Sequence, residues 1–263
     1  MKALFWHVDA FTGTLFGGNP AGVCLLEAWP APATMQKIAA ENNLSETAFV
    51  VLRGQSPAEL RWFTPAVEVD LCGHATLAAA HVLFSSRGWP RGSVEFSTQS
   101  GPLAVEKRGD LLVMDFPSRP ALPCEPPTVL LKGLGGNPVE VRGARDYLAV
   151  FSSEEEVHAL SPDMGQLGRI DRMGVIVTAP SRDPRDCDFV SRFFAPKAGI
   201  PEDPVTGSAH CTLIPYWARR LHTSILHARQ VSARGGELFC EDAGDRVKIG
   251  GRAVTYLAGE IEA

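Results

Sequence analysis

Cys72-Gly73-His74-Ala75-Thr76-Leu77-Ala78-Ala79-Ala80-His81-Val82-Leu83-Phe84-Ser85-Ser86 is the stretch that decides the fold. From Ala75 to Ser86 it reads as a helix, yet it carries no Asp, Glu, Lys or Arg on any face. A helix that is apolar all round must be enclosed on every side, so strands have to wrap it. Segments 94–98, 103–107 and 111–116 alternate with period two and supply part of that wrapping, with Gly109-Asp110 as the turn between the last two. A second helix of the same kind is expected from Ser208 to Arg220, apolar until Arg219 and Arg220 meet the negative end of its dipole. Pro215 inside it removes one hydrogen bond and is expected to kink it.

The two helices belong to a repeat. Arg61-Trp62-Phe63-Thr64-Pro65 has its counterpart in Arg192-Phe193-Phe194-Ala195-Pro196, an offset of 131. Cys72-Gly73-His74-Ala75 matches Thr206-Gly207-Ser208-Ala209 at 134, Gly101 matches Gly235 at 134, and Asp110 matches Asp245 at 135. A collinear set with so little drift points to a duplicated domain. Each copy runs from a strand ending in Phe-[Thr/Ala]-Pro, through an acidic turn and a glycine, to its helix and further strands. Residues 117–127, with prolines at 117, 120, 123, 126 and 127, form the crossing, so the halves are 1–117 and 118–252. A further helix is expected at 33–42, followed by a turn at Leu44-Ser45-Glu46-Thr47 and a strand at 48–52, with Glu154–Leu160 as the second half's equivalent helix.

Composition narrows the function. The 263 residues are 45% hydrophobic and 21% charged, an ordinary globular balance. The formal charge of −5 lacks the basic field from which nucleic acids draw most of their affinity, so no nucleic-acid partner is expected. No run approaches the roughly 20 apolar residues that cross a bilayer, so no membrane association is expected. The start, Met1 to Asp9, does not read as a signal peptide. Cysteines at 24, 72, 124, 187, 211 and 240 are scattered without a C-x-x-C pair, which suggests reduced thiols and a cytoplasmic protein. No H-E-x-x-H, no phosphate-binding G-x-x-x-x-G-K-[ST] and no G-x-G-x-x-G spacing occurs, so no metal or other cofactor is expected; Gly17-Gly18-Asn19-Pro20-Ala21-Gly22 reads as a turn.

Chemistry is expected where the repeat places its helix starts, at Gly73-His74 and Gly207-Ser208. A helix start offers unsatisfied N–H groups and partial positive charge, a cradle for a carboxylate, and two facing starts would bracket one small acid. The same glycines also suit tight turns before buried helices. Glu46 lies between a helix and an apolar strand, and is either a carboxylate placed to shuttle protons, a surface turn residue or an N-terminal charge near a short helix. Asp203, in Pro201-Glu202-Asp203-Pro204, is placed to orient His74, to take a substrate hydrogen bond or simply to turn the chain before proline; His74 is either a site residue or a histidine satisfied by its turn, and Ser208 either holds substrate or caps its helix. Cys72 is either a thiol activated by the helix start or an ordinary buried cysteine.

Four motifs in order make a resemblance. Asp9-Ala10-Phe11-Thr12 with Gly18-Asn19-Pro20-Ala21, Ser45-Glu46-Thr47-Ala48-Phe49, Leu71-Cys72-Gly73-His74-Ala75-Thr76, and Asp203-Pro204-Val205-Thr206-Gly207-Ser208-Ala209 resemble the PhzF-like, phenazine-biosynthesis-type isomerases over essentially the whole chain. The resemblance implies an α+β, diaminopimelate-epimerase-like fold of two pseudo-symmetric domains, each a curled mixed sheet around a central helix, with the site between them. It implies that the terminal strand, about 253–261, returns to the first domain, and that the protein is a cofactor-independent homodimer. It assigns Glu46 as the residue that moves a proton on a dihydro-hydroxyanthranilate-like carboxylate, with His74, Asp203 and Ser208 supporting it and Gly73, Gly207, Cys72 and Asn19 lining the site. Related epimerases use two cysteines; here Cys72 stands at one position and Thr206 at the other, and a threonine hydroxyl is too weakly acidic to replace a thiol. Two rivals remain: a Cys72/Glu46 amino-acid-type epimerase, and a non-catalytic binding protein on the same scaffold.

Overall fold

In chain order, strand β1 (Lys2–Ala10) turns back into β2 (Asn19–Leu26), and helix α1 (Pro32–Asn42) leads to β3 (Glu46–Val51), β4 (Ala58–Phe63) and the short β5 (Glu68–Val69). Helix α2 (Gly73–Ser86) follows, then β6 (Ser93–Thr98), β7 (Gly101–Arg108) and β8 (Leu111–Pro117). The second half begins with β9 (Leu122–Pro123), α3 (Thr128–Leu134), β10 (Glu140–Gly143), β11 (Tyr147–Val150), α4 (Glu154–Ala159) and α5 (Met164–Leu167). It continues through β12 (Val175–Pro180), β13 (Phe189–Ala195), β14 (Ile200–Asp203), α6 (Gly207–Leu221), β15 (Ile225–Gln230), β16 (Gly236–Ala243) and β17 (Arg246–Gly251). The last strand, β18 (Ala253–Glu262), pairs antiparallel with β1 from Lys2↔Glu262 to Ala10↔Ala253. This computed structural model describes residues 2–54 and 57–262. The chain divides into two compact units, Met1–Asp115 with Gly250–Ala263, and Phe116–Ile249.

Each unit repeats one pairing scheme. In the first, β1–β2 is antiparallel, β2–β3 parallel, β3–β4 and β4–β5 antiparallel, β4–β6 parallel and β6–β7 antiparallel. In the second, β10–β11, β11–β12, β12–β13, β13–β14, β13–β15 and β15–β16 follow the same series of directions. The duplication read from scattered motifs is thus present in the hydrogen-bond ladder of every step. Among the described residues, no helix is long and apolar enough to cross a membrane.

The uncharged helix is enclosed, as its composition demands. Ala75, Leu77, Ala78, Ala79, Val82 and Leu83 of α2 are wholly buried. In α6, Leu213, Ile214 and Trp217 are wholly buried, and Arg219 and Arg220 occupy the exposed last turn. Trp217 stacks on Phe189 at 5.4 Å and donates its indole N–H to the Thr178 hydroxyl at 3.0 Å, so its one polar atom is satisfied. Helix α1 covers the other face of the first unit's sheet, packing Met35, Ile38 and Ala39 with Phe5, Phe49 and Phe63. In the second unit Leu130, Leu134, Val157 and Leu167 do the same with Phe151, Val177 and Phe194.

The helix core also holds a titrating group. His210 of α6 is fully buried; its Nδ1–H donates to the Thr206 carbonyl at 2.8 Å, and its Nε2 has no hydrogen-bond partner among the described residues. Burial pulls its pKa from 6.5 down to about 4, with the Thr206 bond opposing. The unfolded chain therefore binds a proton here at a pH where the native state does not, so stability is full above pH 6.5 and is lost as the pH falls through about 4. The whole effect is on the order of 3 kcal/mol. Urea midpoints measured at pH 7 and pH 4.5 are expected to fall less in His210→Gln than in the unsubstituted protein; an equal fall in both contradicts this reading.

Candidate active site

Glu46 reaches its place through the end of α1. Asn43 adopts the left-handed conformation (φ 48°, ψ 36°) and its N–H bonds the Ala39 carbonyl at 3.1 Å, which stops the helix and turns the chain. The expected turn over Leu44–Thr47 is shorter than that: Glu46 and Thr47 already belong to β3, because they pair in parallel with Ala21 and Gly22 of β2. Sheet pairing overrides the local turn signal and fixes Glu46 on a strand. Asn19 lies two residues before Ala21 and so shares the face on which Glu46 stands. The residue before Asn19 has to be glycine. Gly18 has φ +62°, and a Cβ there would sit 2.1 Å from the Ala10 carbonyl oxygen.

The start of α2 supplies the rest. His74 Nε2 lies 3.0 Å from Glu46 Oε2. Asn19 Nδ2 lies 3.2 Å from His74 Nδ1, and Cys72 Sγ lies 3.6 Å from the same nitrogen and 4.0 Å from Nε2. Asn19 is wholly buried, Cys72 and His74 nearly so, and the Glu46 side chain is 12% exposed, making it the most open member of the group. Burial and then the neighbouring Glu46 push the Cys72 pKa up, outweighing His74, so it is a neutral thiol at neutral pH. For His74, burial acts against the charged form, but Cys72 and Glu46 outweigh it and the pKa is raised well above the ordinary histidine value.

Both repeat-related helices begin without a side-chain cap. Cys72 and Thr206 occupy the cap positions in extended conformation. The first N–H groups of a helix start are suited to facing an anion. In the second unit the Thr206 hydroxyl donates to Asp203 Oδ2 at 2.6 Å. Gln230 is buried behind this loop: its Oε1 accepts from the Thr206 N–H at 2.8 Å, and its Nε2 donates to the Asp203 carbonyl at 2.8 Å and to Thr206 Oγ1 at 3.1 Å. Gln230 was not singled out from the sequence. It lies 24 residues beyond Thr206, in a strand reading Ile-Leu-His-Ala-Arg-Gln, and only the fold brings it to the helix start. Ser208 is half-buried in the first turn of α6 and is not the cap; Thr206 holds that position.

The duplicated ladder shows what the second unit lacks. Thr47 pairs with Phe63 and Val175 pairs with Phe194, so Glu46 corresponds to Gly174, and by the same count Asn19 corresponds to Ala144. A Cβ at Gly174 would lie 2.9 Å from the Phe194 carbonyl oxygen, so no acid can stand there. Cys72 and His74 correspond to Thr206 and Ser208. The structure thus gathers Glu46, His74, Cys72 and Asn19 in the first unit around Gly73, and Asp203, Gly207 and Ser208 around the start of α6 in the second. Among the described residues, Glu46, Cys72 and His74 are the group able to hold a metal ion, their ligand atoms lying within 4.8 Å of one another.

Comparison with known proteins follows the same lines. A sequence profile of the family described as phenazine biosynthesis-like protein matches residues 8–259. A Pseudomonas aeruginosa protein named as an uncharacterized isomerase is 53% identical, with 99% of each chain covered. A crystal structure of a PhzF-family phenazine biosynthesis protein from Enterococcus faecalis superposes with a TM-score of 0.96 at 47% identity, covering 100% of both chains. A hydroxyproline epimerase from Agrobacterium vitis shares the fold alone, with a TM-score of 0.64 at 13% identity over 99% of this chain and 92% of that one. The expected α+β, epimerase-type fold is therefore the one observed.

A titration tests the buried pair. Because the folded pKa of His74 is raised, the pair's contribution to stability is full below the unfolded histidine value and is lost as the pH rises through the folded one. Replacing Glu46→Gln removes the opposing charge and should lower the His74 pKa by ~1–3 units. Ring-proton NMR across the pH range measures this directly, and an unchanged His74 titration would show that the two groups are not coupled.

Proposed function

The chain belongs to the phenazine biosynthesis-like family, and we propose that it is an isomerase that shifts a proton within a small carboxylate substrate, with Glu46 as both general base and general acid. The observation that carries this reading is the Glu46 carboxylate, mostly buried and held through Oε2 by His74 Nε2 at 3.0 Å. That bond fixes the carboxylate's orientation and leaves Oε1 to meet a substrate proton. Oε1 takes the proton from a carbon next to an unsaturated or carbonyl group, and the C–H electron pair moves into the adjoining π system. The double bond shifts, and Oε1 returns the proton to the far carbon, so the enzyme ends as it began. Asn19 steadies the imidazole from its other nitrogen. The start of α2, at Gly73, is assigned the substrate's carboxylate group. General acid/base catalysis of this kind contributes about 10²–10⁴-fold.

Distance weighs against the Cys72/Glu46 epimerase. Two bases on opposite faces of one carbon, each about 3–3.5 Å from it, stand roughly 6–7 Å apart. One Glu46 carboxylate oxygen and the Cys72 sulfur lie within 4.8 Å of each other, and burial keeps the thiol protonated. Thr206, the repeat partner of Cys72, has its hydroxyl engaged with Asp203 and Gln230, so it supplies no second base.

Incubating the protein with candidate unsaturated acids in D₂O separates an isomerase from a binding protein, because only turnover carries solvent deuterium onto carbon. With the substrate in hand, Glu46→Gln is expected to keep its thermal midpoint and lose about 10²–10⁴-fold in kcat. Full kcat in that variant refutes the assignment.

A further inference from the structure

We infer that Glu46, Cys72 and His74 also form a binding site for a soft divalent cation of the zinc class, and that its occupancy switches off the proton shift. The inference uses the residues of the proposed reaction, but cation binding stands or falls independently of that reaction.

The donor set is a thiol, an imidazole and a carboxylate, the three ligand types that zinc takes from proteins. A tetrahedral ion with bonds of about 2.0–2.3 Å holds its ligand atoms roughly 3.3–3.6 Å apart. Here His74 Nε2 lies 3.0 Å from Glu46 Oε2 and 4.0 Å from Cys72 Sγ, and all the ligand atoms lie within 4.8 Å of one another. Cys72 Sγ lies nearer Nδ1, at 3.6 Å, so the thiol has to swing toward the Nε2 side to complete such a site. The backbones of the three residues need not move, since Glu46 opens β3 and Cys72 and His74 flank Gly73 at the rigid start of α2.

The surroundings suit a bound ion as well. A metal-bound imidazole generally donates its other N–H to an oxygen, which fixes the ring. Asn19 lies 3.2 Å from Nδ1, and turning its amide places Oδ1 there in the same volume. Glu46 is the most open of the three, so the ion enters from its side. Three protein ligands leave a fourth position for water or an acid. Binding releases the Cys72 thiol proton and the His74 Nε2 proton and commits the Glu46 carboxylate to the ion. A carboxylate so engaged no longer accepts a proton from carbon. The second unit, with Gly174, Thr206 and Ser208 at the matching places, offers no such set, so one site per chain is expected.

Cobalt serves as the probe, because a thiolate–cobalt bond gives an ultraviolet charge-transfer band. Five of the six cysteines are buried and Cys124 is partly exposed, so the titration is done in a Cys124→Ser background. One equivalent of Co²⁺ should raise the band, and Zn²⁺ should displace it. Cys72→Ser, shown to be folded by circular dichroism, should abolish the band, and Glu46→Gln should weaken cobalt binding by at least about tenfold. Absence of the band, or its survival in folded Cys72→Ser, overturns the site. Stoichiometric Zn²⁺ should suppress deuterium exchange and a chelator should restore it; full exchange in the zinc-loaded protein overturns the switch. If Glu46→Gln abolishes turnover but cobalt gives no band, only this inference fails. If cobalt binds as described and Glu46→Gln keeps full kcat, only the catalytic reading fails.

Discussion

A carboxylate and an imidazole 3.0 Å apart, one at the head of a strand and one at the head of a buried helix, set the terms for the rest of the first unit. A lone charge so deep would cost several kcal/mol, and the pair is tolerable only while each member has the other. Its geometry depends on backbone placed from three directions. The parallel ladder of β2 and β3 sets Glu46, the left-handed turn at Gly18 sets Asn19, and the apolar α2 sets His74. Burial acts against a charged His74, and its neighbours Cys72 and Glu46 reverse that. Proton affinity at this place is therefore a property of packing as much as of residue type.

Duplication explains why such a pair could arise. A gene doubled in length gave two units with the same ladder, and that ladder tolerates divergence at side chains while it holds the backbone. Glu46 has Gly174 as its counterpart, His74 has Ser208 and Cys72 has Thr206, so this cluster of titratable side chains occurs in the first unit without a match at the equivalent places of the second. What both units keep is the uncapped helix start, a feature of backbone rather than of any side chain. The Thr206 hydroxyl, at the place matching the Cys72 thiol, is tied to Asp203 and Gln230.

Much of this was legible before any coordinates. The helix at 75–86 announced itself by carrying no charge, and a helix without a polar face has one physical option, enclosure. The collinear motifs gave the repeat, because residues fixed by turns and helix starts drift least when a domain is copied. The expected turn at Leu44–Thr47 was drawn too long, since turn propensity is local whereas β3 begins where β2 offers it partners. Gln230 escaped notice for the same reason: nothing in its neighbours distinguishes it from a surface glutamine, and its three hydrogen bonds are to residues at least 24 positions away.

The sequence by itself determined the fold class, the duplication and the family, because periodicity, composition and motif order are properties of the chain read in one dimension. It also marked Glu46, Cys72, His74 and Asn19 as residues to watch. Only the tertiary structure decided that these four meet and that the His74 pKa is raised. Distance and burial arise when segments 55 residues apart, such as Asn19 and His74, are folded onto one another, and no local pattern encodes them.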